Sequence, residues 1–305
     1  PPNLLSARAW QCLKILRRAK CVKMTDGLPL VSVIIPSYNP GESLETCLRS
    51  IREQSYENIE IIVVDRNSTD GTPGVAGNNS ARLMLIDCER AEAKNHGINL
   101  AQGKYIAFID SDMELTSSVI SECVSICERS IQVGGIIIPE RSVGNSYWVK
   151  VRDHERKYYA GTEIESARFF PRDLAERAKG FETGVIFFEE STLPQKIKLM
   201  GFSISARIAS PILHHEDNFT LGHWLRKKYY YGKTAKAYRA KYGDYGAAQM
   251  SVRKRFSIFL MQGNFYKRPA LAIGVLTLKA LEFVSAGLGY MSKQRPDYDD
   301  SAVDI

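Results

Sequence analysis

The first half of the chain alternates short apolar runs with segments in which apolar residues recur every three or four positions. The apolar runs, rich in Val and Ile, predict strands at residues 31–35, 60–65, 82–86, 105–109 and 135–138. The periodic segments between them predict helices at 42–54, 91–101 and 115–129. Continuous apolar strands separated by helices are typical of a mostly parallel sheet covered on both faces.

The second half of the chain has a different pattern. Residues 166–170 and 202–208 predict short strands around a helix at 192–200, and from Leu221 onward the pattern is helical. We therefore predict three parts. They are a basic amphipathic N-terminal helix at 1–27, an α/β domain at 28–215, and a helical region at 216–305 that is basic and then apolar.

Composition adds one feature to this picture. The 305 residues are 44% hydrophobic and 25% charged, which excludes a disordered or collagen-like chain. The net charge of +7 is concentrated, because residues 226–255 hold ten Lys or Arg and a single acidic residue, Asp244. Six cysteines without a C-x-x-C pair, in a chain this long, indicate a reducing compartment.

Polar residues follow the predicted strands directly, where ligands bind in open parallel sheets. Pro36 to Asn39 follow the first strand, Asp65 ends the second, and Asp110-Ser111-Asp112 follow the fourth. Two carboxylates one residue apart can share a hard cation such as Mg²⁺ or Mn²⁺ through oxygen ligands. The alternative is that Asp112 only caps a helix that begins near Leu115.

Four segments in this order resemble the family-2 inverting glycosyltransferases, which have the GT-A fold. They are VSVIIPSYN at 31–39, IIVVDRNSTDGT at 61–72, AKNHG at 93–97 and GKYIAFIDSD at 103–112. The resemblance covers about residues 29–215. It implies a Rossmann-like, mostly parallel α/β sheet and transfer of a sugar from a nucleotide-diphosphate donor, with UDP-sugars ahead of GDP-mannose.

The resemblance also implies roles for individual residues. Asp112 is expected to hold Mn²⁺ or Mg²⁺ beneath the diphosphate, with Asp110 and His214 as further ligands and His215 as the alternative to His214. Arg168 is expected on the acceptor side. Arg66 stands where the family often has a second Asp, which leaves the base of the donor open. The expected donor-binding residues are Pro36, Tyr38, Asn39, Asp65, Lys94, Asp110 and Ser111.

The adjacent acids Glu189 and Glu190 resemble the family's acidic pair at the start of a helix. An acceptor hydroxyl must lose a proton as it attacks the anomeric carbon, so a carboxylate is needed beside it. One displacement inverts the anomeric centre. Position in the pair assigns the general base to Glu190, with Glu189 as the alternative; another interpretation is that both acids only stabilise a helix N-terminus.

Other classes of function fit the residues less well. A catalytically inactive GT-A-fold scaffold is the main alternative, although the D-x-D and the acidic pair are retained. The basic, Tyr-rich segment has no recognisable RNA-binding motif, so we expect no nucleic-acid partner. An oxidoreductase would need G-x-G-x-x-G after the first strand.

Both ends of the chain predict a partner surface. The basic helix at 1–27, residues 226–255 and the apolar residues 269–291 together indicate a peripheral enzyme on the cytoplasmic face of an anionic membrane, near a glycan or lipid-linked acceptor. The alternatives for 269–291 are packing on the catalytic domain and pairing with a second copy. Ten uncharged residues between Arg268 and Lys279 are too few for a membrane-spanning helix.

Overall fold

The computed structural model describes residues 27–79, 81–162 and 164–292. The predicted N-terminal helix and the acidic tail at 296–305 therefore lie outside the described residues, apart from Gly27. The strands of the described part are β1 Val31–Ser37, β2 Ile59–Asp65, β3 Arg82–Leu85, β4 Tyr105–Phe108, β5 Met113–Leu115, β6 Ile136–Ile137, β7 Glu140–Val143, β8 Ala167–Pro171, β9 Ala206–Arg207 and β10 Ile212–His215.

The helices are distributed between and after these strands. They are α1 Ser43–Arg52, α2 Thr72–Asn78, α3 Arg90–Leu100, α4 Val119–Arg129, α5 Tyr147–Arg156, α6 Arg172–Arg177, α7 Thr192–Leu199, α8 Leu221–Gln249, α9 Val252–Leu260 and α10 Pro269–Met291. Two 3₁₀ turns, Glu189–Ser191 and Gly263–Lys267, precede α7 and α10. The helical C-terminal region is thus present as predicted.

A seven-stranded sheet in the order β3-β2-β1-β4-β8-β6-β9 forms the centre of the α/β part. Strands β1 to β4 are parallel, whereas β8 runs antiparallel to both β4 and β6. The register pairs Ser37 with Asp65, and Asp65 with Leu85. The carboxyl ends of the parallel strands therefore meet at one edge, and the predicted mostly parallel sheet is confirmed.

A second, three-stranded sheet in the order β5-β10-β7 was not predicted from the sequence. The helix expected from residue 115 begins instead at Val119, because Met113 and Leu115 alternate as buried residues in β5, with Glu114 between them partly exposed. Asp112 consequently precedes a strand and does not cap a helix. β5 pairs antiparallel with β10, which places His214 opposite Met113.

Apolar side chains cover both faces of the large sheet. In β8 the consecutive residues Phe169 and Phe170 are fully buried in separate clusters, one on each face, as the two-residue period of a strand requires. Cys123 and Cys127 of α4 pack in the first cluster, as expected of core residues.

The C-terminal helices pack closely on the α/β part and on one another. α10 crosses α8 at two glycines, where a Cβ on Gly289 would lie 1.9 Å from the Tyr229 carbonyl oxygen and one on Gly232 would lie 2.1 Å from that of Ala286. Lys279 of α10 is buried and pairs with Glu155 of α5 at 2.6 Å. The backbones and the buried charges together fix the position of α10.

By length and composition, one helix of the described chain, α10, is long and apolar enough to cross a membrane, with a mean hydropathy of 1.7 over its most apolar window. This differs from the expectation drawn from charge spacing, because Lys279 and Glu282 are the only charged residues among its 23 positions. A core helix of a soluble protein passes the same test, so the finding by itself assigns no membrane span.

The crossing of α10 and α8 leads to a stability prediction. Gly289→Ala places a methyl group against backbone, which cannot rotate away, and we expect a loss of about 1–3 kcal/mol in the free energy of unfolding. Gly287→Ala is the matched control, since its Cβ would meet nothing within 4 Å; helix propensity predicts a gain of up to about 1 kcal/mol. Urea unfolding followed by circular dichroism measures both, and equal stability of the two variants would contradict the packing.

Candidate functional site

A cavity of about 1800 Å³ lies at the carboxyl edge of the large sheet. The loops after β1 and β4 form one side of it, and α8 contributes Lys227, Lys228 and Tyr231 on another. Pockets for one small ligand are typically about 300–1,000 Å³. The cavity therefore has room for two substrates.

The loops after β1 and β2 are tied together by side-chain hydrogen bonds. Asp65 is fully buried and accepts hydrogen bonds from the backbone N–H of Ser68 at 2.7 Å and from the Ser68 hydroxyl at 2.5 Å. Asn39 Oδ1 accepts from the Thr69 N–H at 2.9 Å. In this structure Asp65 orders the loop after β2, and a contact with the donor's base or ribose stays a prediction.

Pro36, Tyr38 and Asn39 line the cavity, as expected of donor-binding residues. The Arg66 guanidinium lies 5.5 Å from the centre of the Tyr38 ring and donates to Asp87 at 3.0 Å. Arg66, the departure from the family pattern, thus borders the same end of the cavity as Tyr38. This end offers an aromatic face and a positive charge.

Asp112 and His214 are brought together by the pairing of β5 with β10. His214 Nε2 lies 2.8 Å from Asp112 Oδ2, whereas His215 contacts Glu114 at 2.7 Å. Both Asp112 and His214 line the cavity, as does Ser111. The geometry therefore favours His214 over His215 as the partner of Asp112.

This pair was tested for its fit to a divalent cation. A carboxylate oxygen and an imidazole nitrogen are both accepted by Mn²⁺, and such an ion keeps coordination positions for phosphate oxygens and water. Arg156 donates to His214 Nδ1 at 2.8 Å, which places the ring proton on Nε2, where it is donated to Asp112. A cation at Nε2 would therefore require the proton to move to Nδ1 and Arg156 to turn away from that nitrogen. No group of three or more His, Cys, Asp or Glu that could hold a metal occurs within the described residues. The two side chains can supply two ligand atoms to a divalent cation, and other groups would have to complete its coordination.

Asp110 belongs to a different interaction. Arg168 lies 3.2 Å from Asp110 and 2.7 Å from Glu140. Burial would raise the pKa of both carboxyls, but the Arg168 charge outweighs it and the pKa of Asp110 lies well below its usual range. Glu140 has its pKa lowered to about 2 by Arg168 and Arg156. Arg168, expected on the acceptor side, lines the cavity while holding these two carboxylates.

Of the two adjacent acids, Glu189 and Glu190, only Glu189 is paired with a buried lysine. Lys94 Nζ lies 2.6 Å from Glu189 Oε1, and both side chains are almost completely buried. No ion pair holds Glu190 anywhere in the described ranges, and its pKa is raised by burial and by the charge of Glu189. Glu190 lines the cavity. The structure thus separates a neutralised acid, Glu189, from one whose proton affinity is increased.

Three cavity residues were missed from the sequence: Arg90, Lys227 and Tyr231. Burial would lower the pKa of Arg90, but Tyr231 and the carboxylates of Glu189, Asp110 and Glu190 raise it above the usual value. Burial and the charges of Arg90 and Lys228 lower the pKa of Lys227 to about 7. The four-residue spacing of Lys227 and Tyr231 on one helix face was an available signal within the basic segment.

The profile of the family described as "Glycosyl transferase family 2" matches residues 32–187, which is just over half of the chain. The chain therefore belongs to this family. The matched residues include most of β1, all of β2 and β4, and both aspartates of the D-x-D, Asp110 and Asp112.

Relatives and solved structures agree with this assignment. The amylovoran biosynthesis glycosyltransferase AmsB of Erwinia amylovora is 37% identical over 107 residues, which are 32% of this chain and 36% of AmsB. The chain spans about two fifths of the length of the curated relatives it matches.

Two solved structures show the fold. Mannosyltransferase PcManGT from Pyrobaculum calidifontis, in complex with GDP-Man and Mn²⁺, matches with a TM-score of 0.56 at 23% identity and 93% coverage of both chains. Residues 1–349 of TarS from S. aureus, in complex with UDP-GlcNAc, match with a TM-score of 0.52 at 14% identity, covering 82% of this chain and 90% of that one. The chain has the GT-A fold with a helical extension.

The buried ion pair of Lys94 and Glu189 leads to a second prediction. Lys94→Met leaves Glu189 buried without its cation, and we expect a loss of about 3–5 kcal/mol in the free energy of unfolding. Adding Glu189→Gln should restore much of that loss. Lys104→Met is the control, because the Lys104–Glu128 pair is largely exposed and should change stability by less than about 1 kcal/mol. Similar losses for Lys94→Met and Lys104→Met in urea unfolding would refute the assignment.

Proposed function

We propose that the chain is a metal-dependent inverting glycosyltransferase that moves a hexosyl or N-acetylhexosaminyl group from a nucleotide-diphosphate donor to an acceptor hydroxyl or phosphate. One observation carries the proposal. The Asp112–His214 pair and Glu190 line the same cavity, at the positions that the family motifs assign to metal and base.

The proposed donor is a UDP-sugar. Of the two similar folds, TarS was solved with UDP-GlcNAc and PcManGT with GDP-Man and Mn²⁺. Pro36, Tyr38 and Asn39 would border the base, with Asp65 behind them, while Lys94, Asp110 and Ser111 would lie toward the ribose and the sugar. The Tyr38 ring and Arg66 offer a surface on which a planar base can stack.

Asp112 and His214 would hold Mn²⁺ or Mg²⁺, which would neutralise charge on the departing diphosphate. Arg90 adds positive charge to the same cavity, and Lys227, whose pKa burial and the charges of Arg90 and Lys228 lower to about 7, adds positive charge when it is protonated. Asp110 stays ionised over the physiological range because Arg168 holds its pKa low. The arrangement favours a leaving group that carries negative charge.

Glu190 would accept the proton of the acceptor hydroxyl as that oxygen attacks the anomeric carbon. A general base acts best when its pKa lies near the operating pH. Burial and the adjacent Glu189 move the pKa of Glu190 upward, toward that range. Lys94 holds Glu189 in an ion pair, which leaves proton transfer to Glu190.

The proposed acceptor is a glycan or a lipid-linked glycan or phosphate, reached from the cytoplasmic face of a membrane. The name of AmsB places that relative in amylovoran biosynthesis, and the name of a second relative, TuaG of Bacillus subtilis, refers to teichuronic acid biosynthesis. Pairing of two copies through the C-terminal helices is the competing use of the same region. A scaffold without activity is distinguished by the absence of both nucleotide-sugar hydrolysis and transfer.

The metal assignment is tested with neighbouring pairs on β5 and β10. Asp112→Asn and His214→Gln should each weaken Mn²⁺-dependent binding of the donor by roughly 10-fold or more, the scale of lost metal-site groups. Glu114→Gln and His215→Gln are matched controls, because they remove the adjacent contact of the same type. Calorimetry with UDP-sugars and GDP-mannose, with and without Mn²⁺, measures this. Equal losses in both pairs would exclude the metal role.

The base assignment predicts a change in turnover without a change in donor affinity. Glu190→Gln keeps the size of the side chain and removes the proton acceptor, so the turnover of transfer should fall by about 10²–10⁴-fold. Glu189→Gln should have the smaller effect on turnover. The product should have the anomeric configuration opposite to that of the donor by NMR; retention would exclude a single displacement.

The raised pKa of Glu190 gives this prediction a pH dependence. The base acts when deprotonated, so activity is lost as the pH falls through its pKa. Because that pKa is raised, the acidic limb of kcat/KM should lie above the ordinary glutamate value of about 4.3. Glu190→Gln should abolish that limb, whereas its persistence in the variant would assign the titration to another group.

A further inference from the structure

Helices α9 and α10 carry most of the large hydrophobic side chains that the described residues expose. Of fifteen such side chains, nine lie between Val252 and Met291. On α10 five of them, at spacings of eight, three, four and three residues, lie on one side of the helix and form a stripe that we call the outer face: Ile273, Leu281, Val284, Leu288 and Met291. An exposed apolar patch of this kind marks an interaction surface.

The charges around the outer face have one sign. Arg253 and Lys254 at the start of α9, and Lys267 and Arg268 just before α10, are all exposed. The only acidic residue between Val252 and Ser292 is Glu282, which is buried. The surface is therefore apolar and cationic, without an exposed carboxylate of its own segment.

The opposite side of α10 is tied to the α/β part. Lys279 Nζ contacts both Glu155 and Glu282, and the Trp224 indole N–H donates to Glu282 at 2.6 Å. A helix surrounded by lipid would take these charges away from their partners. α10 therefore suits an orientation along a membrane surface rather than across it, with only its outer face in lipid.

We propose that the outer face of α10, together with the exposed residues of α9, docks in the plane of a lipid bilayer with anionic headgroups. Apolar insertion and basic residues act together in such binding. The proposal deepens the proposed function, on which it rests only for the nature of the acceptor. Phe283, Ala286 and Tyr290, on the inner side of α10, line the cavity. A lipid-borne acceptor would thus be separated from the cavity by the width of one helix.

Of the three segments from which the sequence predicted a membrane surface, the proposal retains residues 269–291 and uses little of residues 226–255. Within residues 226–255, Lys227 and Lys228 line the cavity, and Lys241 pairs with Glu182 at 2.5 Å. These positive charges therefore face the cavity or pair with a carboxylate of the protein, and are not available to a membrane surface. The cations beside the outer face begin with Arg253.

Vesicle co-sedimentation without nucleotide-sugar tests the apolar part of the proposal. The protein should bind phosphatidylcholine vesicles that contain phosphatidylglycerol, and not phosphatidylcholine alone. The variant Ile273→Ser/Val284→Ser/Leu288→Ser should bind roughly 10-fold or more weakly. The control Leu85→Ser/Ile131→Ser/Leu199→Ser removes three similarly exposed apolar side chains elsewhere and should bind normally. Circular dichroism confirms that both variants are folded.

The charge part has its own pair of variants. Lys267→Gln/Arg268→Gln should bind anionic vesicles roughly 30-fold more weakly, since each of the two basic residues near such a surface contributes about 1 kcal/mol. Arg49→Gln/Arg52→Gln, on exposed positions of α1, should not. Added salt should weaken binding of the unchanged protein.

Three outcomes would overturn the proposal. Equal losses in the α10 and control variants would show that binding is unspecific. Retention of the protein in membranes after alkaline carbonate extraction would show a spanning helix. A dimer in ultracentrifugation that the α10 variant abolishes, without vesicle binding, would assign the outer face to a second copy. Because no donor is present, failure here leaves the transferase activity to be judged by the metal and base variants.

Discussion

A series of partly buried ion pairs connects the carboxyl edge of the large sheet to the helices that cover it. From the end of β4 outward its members are Asp110, Arg168, Glu140, Arg156, Glu216 and Arg152. The Arg152 guanidinium lies 3.9 Å from the centre of the Trp224 ring in α8, and Trp224 in turn contacts Glu282 of α10. Removing water from such charges is costly unless every one is paired. The two sheets, α5 and the C-terminal helices therefore have to adopt one mutual arrangement.

This requirement explains why the site residues have distinct electrostatic states although their types are the same. Arg168 holds the pKa of Asp110 low against the effect of burial, and Lys94 forms an ion pair with Glu189. Burial and the charge of Glu189 raise the pKa of Glu190, which is in no ion pair of the described chain. Three carboxylates at one edge thus differ in electrostatic state because their partners differ. The partners come from α3 and β8, so the separation depends on the tertiary structure.

The sequence predicted those helices and strands that are determined by the local spacing of apolar residues. The parallel strands and the position of the D-x-D after β4 followed from apolar runs and spacing. β5 was not predicted, because three residues are too few to show the two-residue period of a strand and because they directly precede a helical pattern. The ion pairs of Lys94 and Arg168 join residues that are distant in sequence. Lys227 likewise lines the cavity together with residues that are far from it in the chain. Such long-range pairings cannot be predicted from the spacing of residues along the chain.

The crossing of α8 and α10 at Gly232 and Gly289 has an evolutionary consequence. Because backbone meets backbone there, neither position can change alone, and the two helices form a fixed point about which other surfaces vary. Residues on the outer side of α10 and those of α8 toward the cavity are free of this restriction. A substitution on the outer side of α10 can therefore change that surface, and one on the cavity side of α8 can change the cavity, without moving the joint between the two helices.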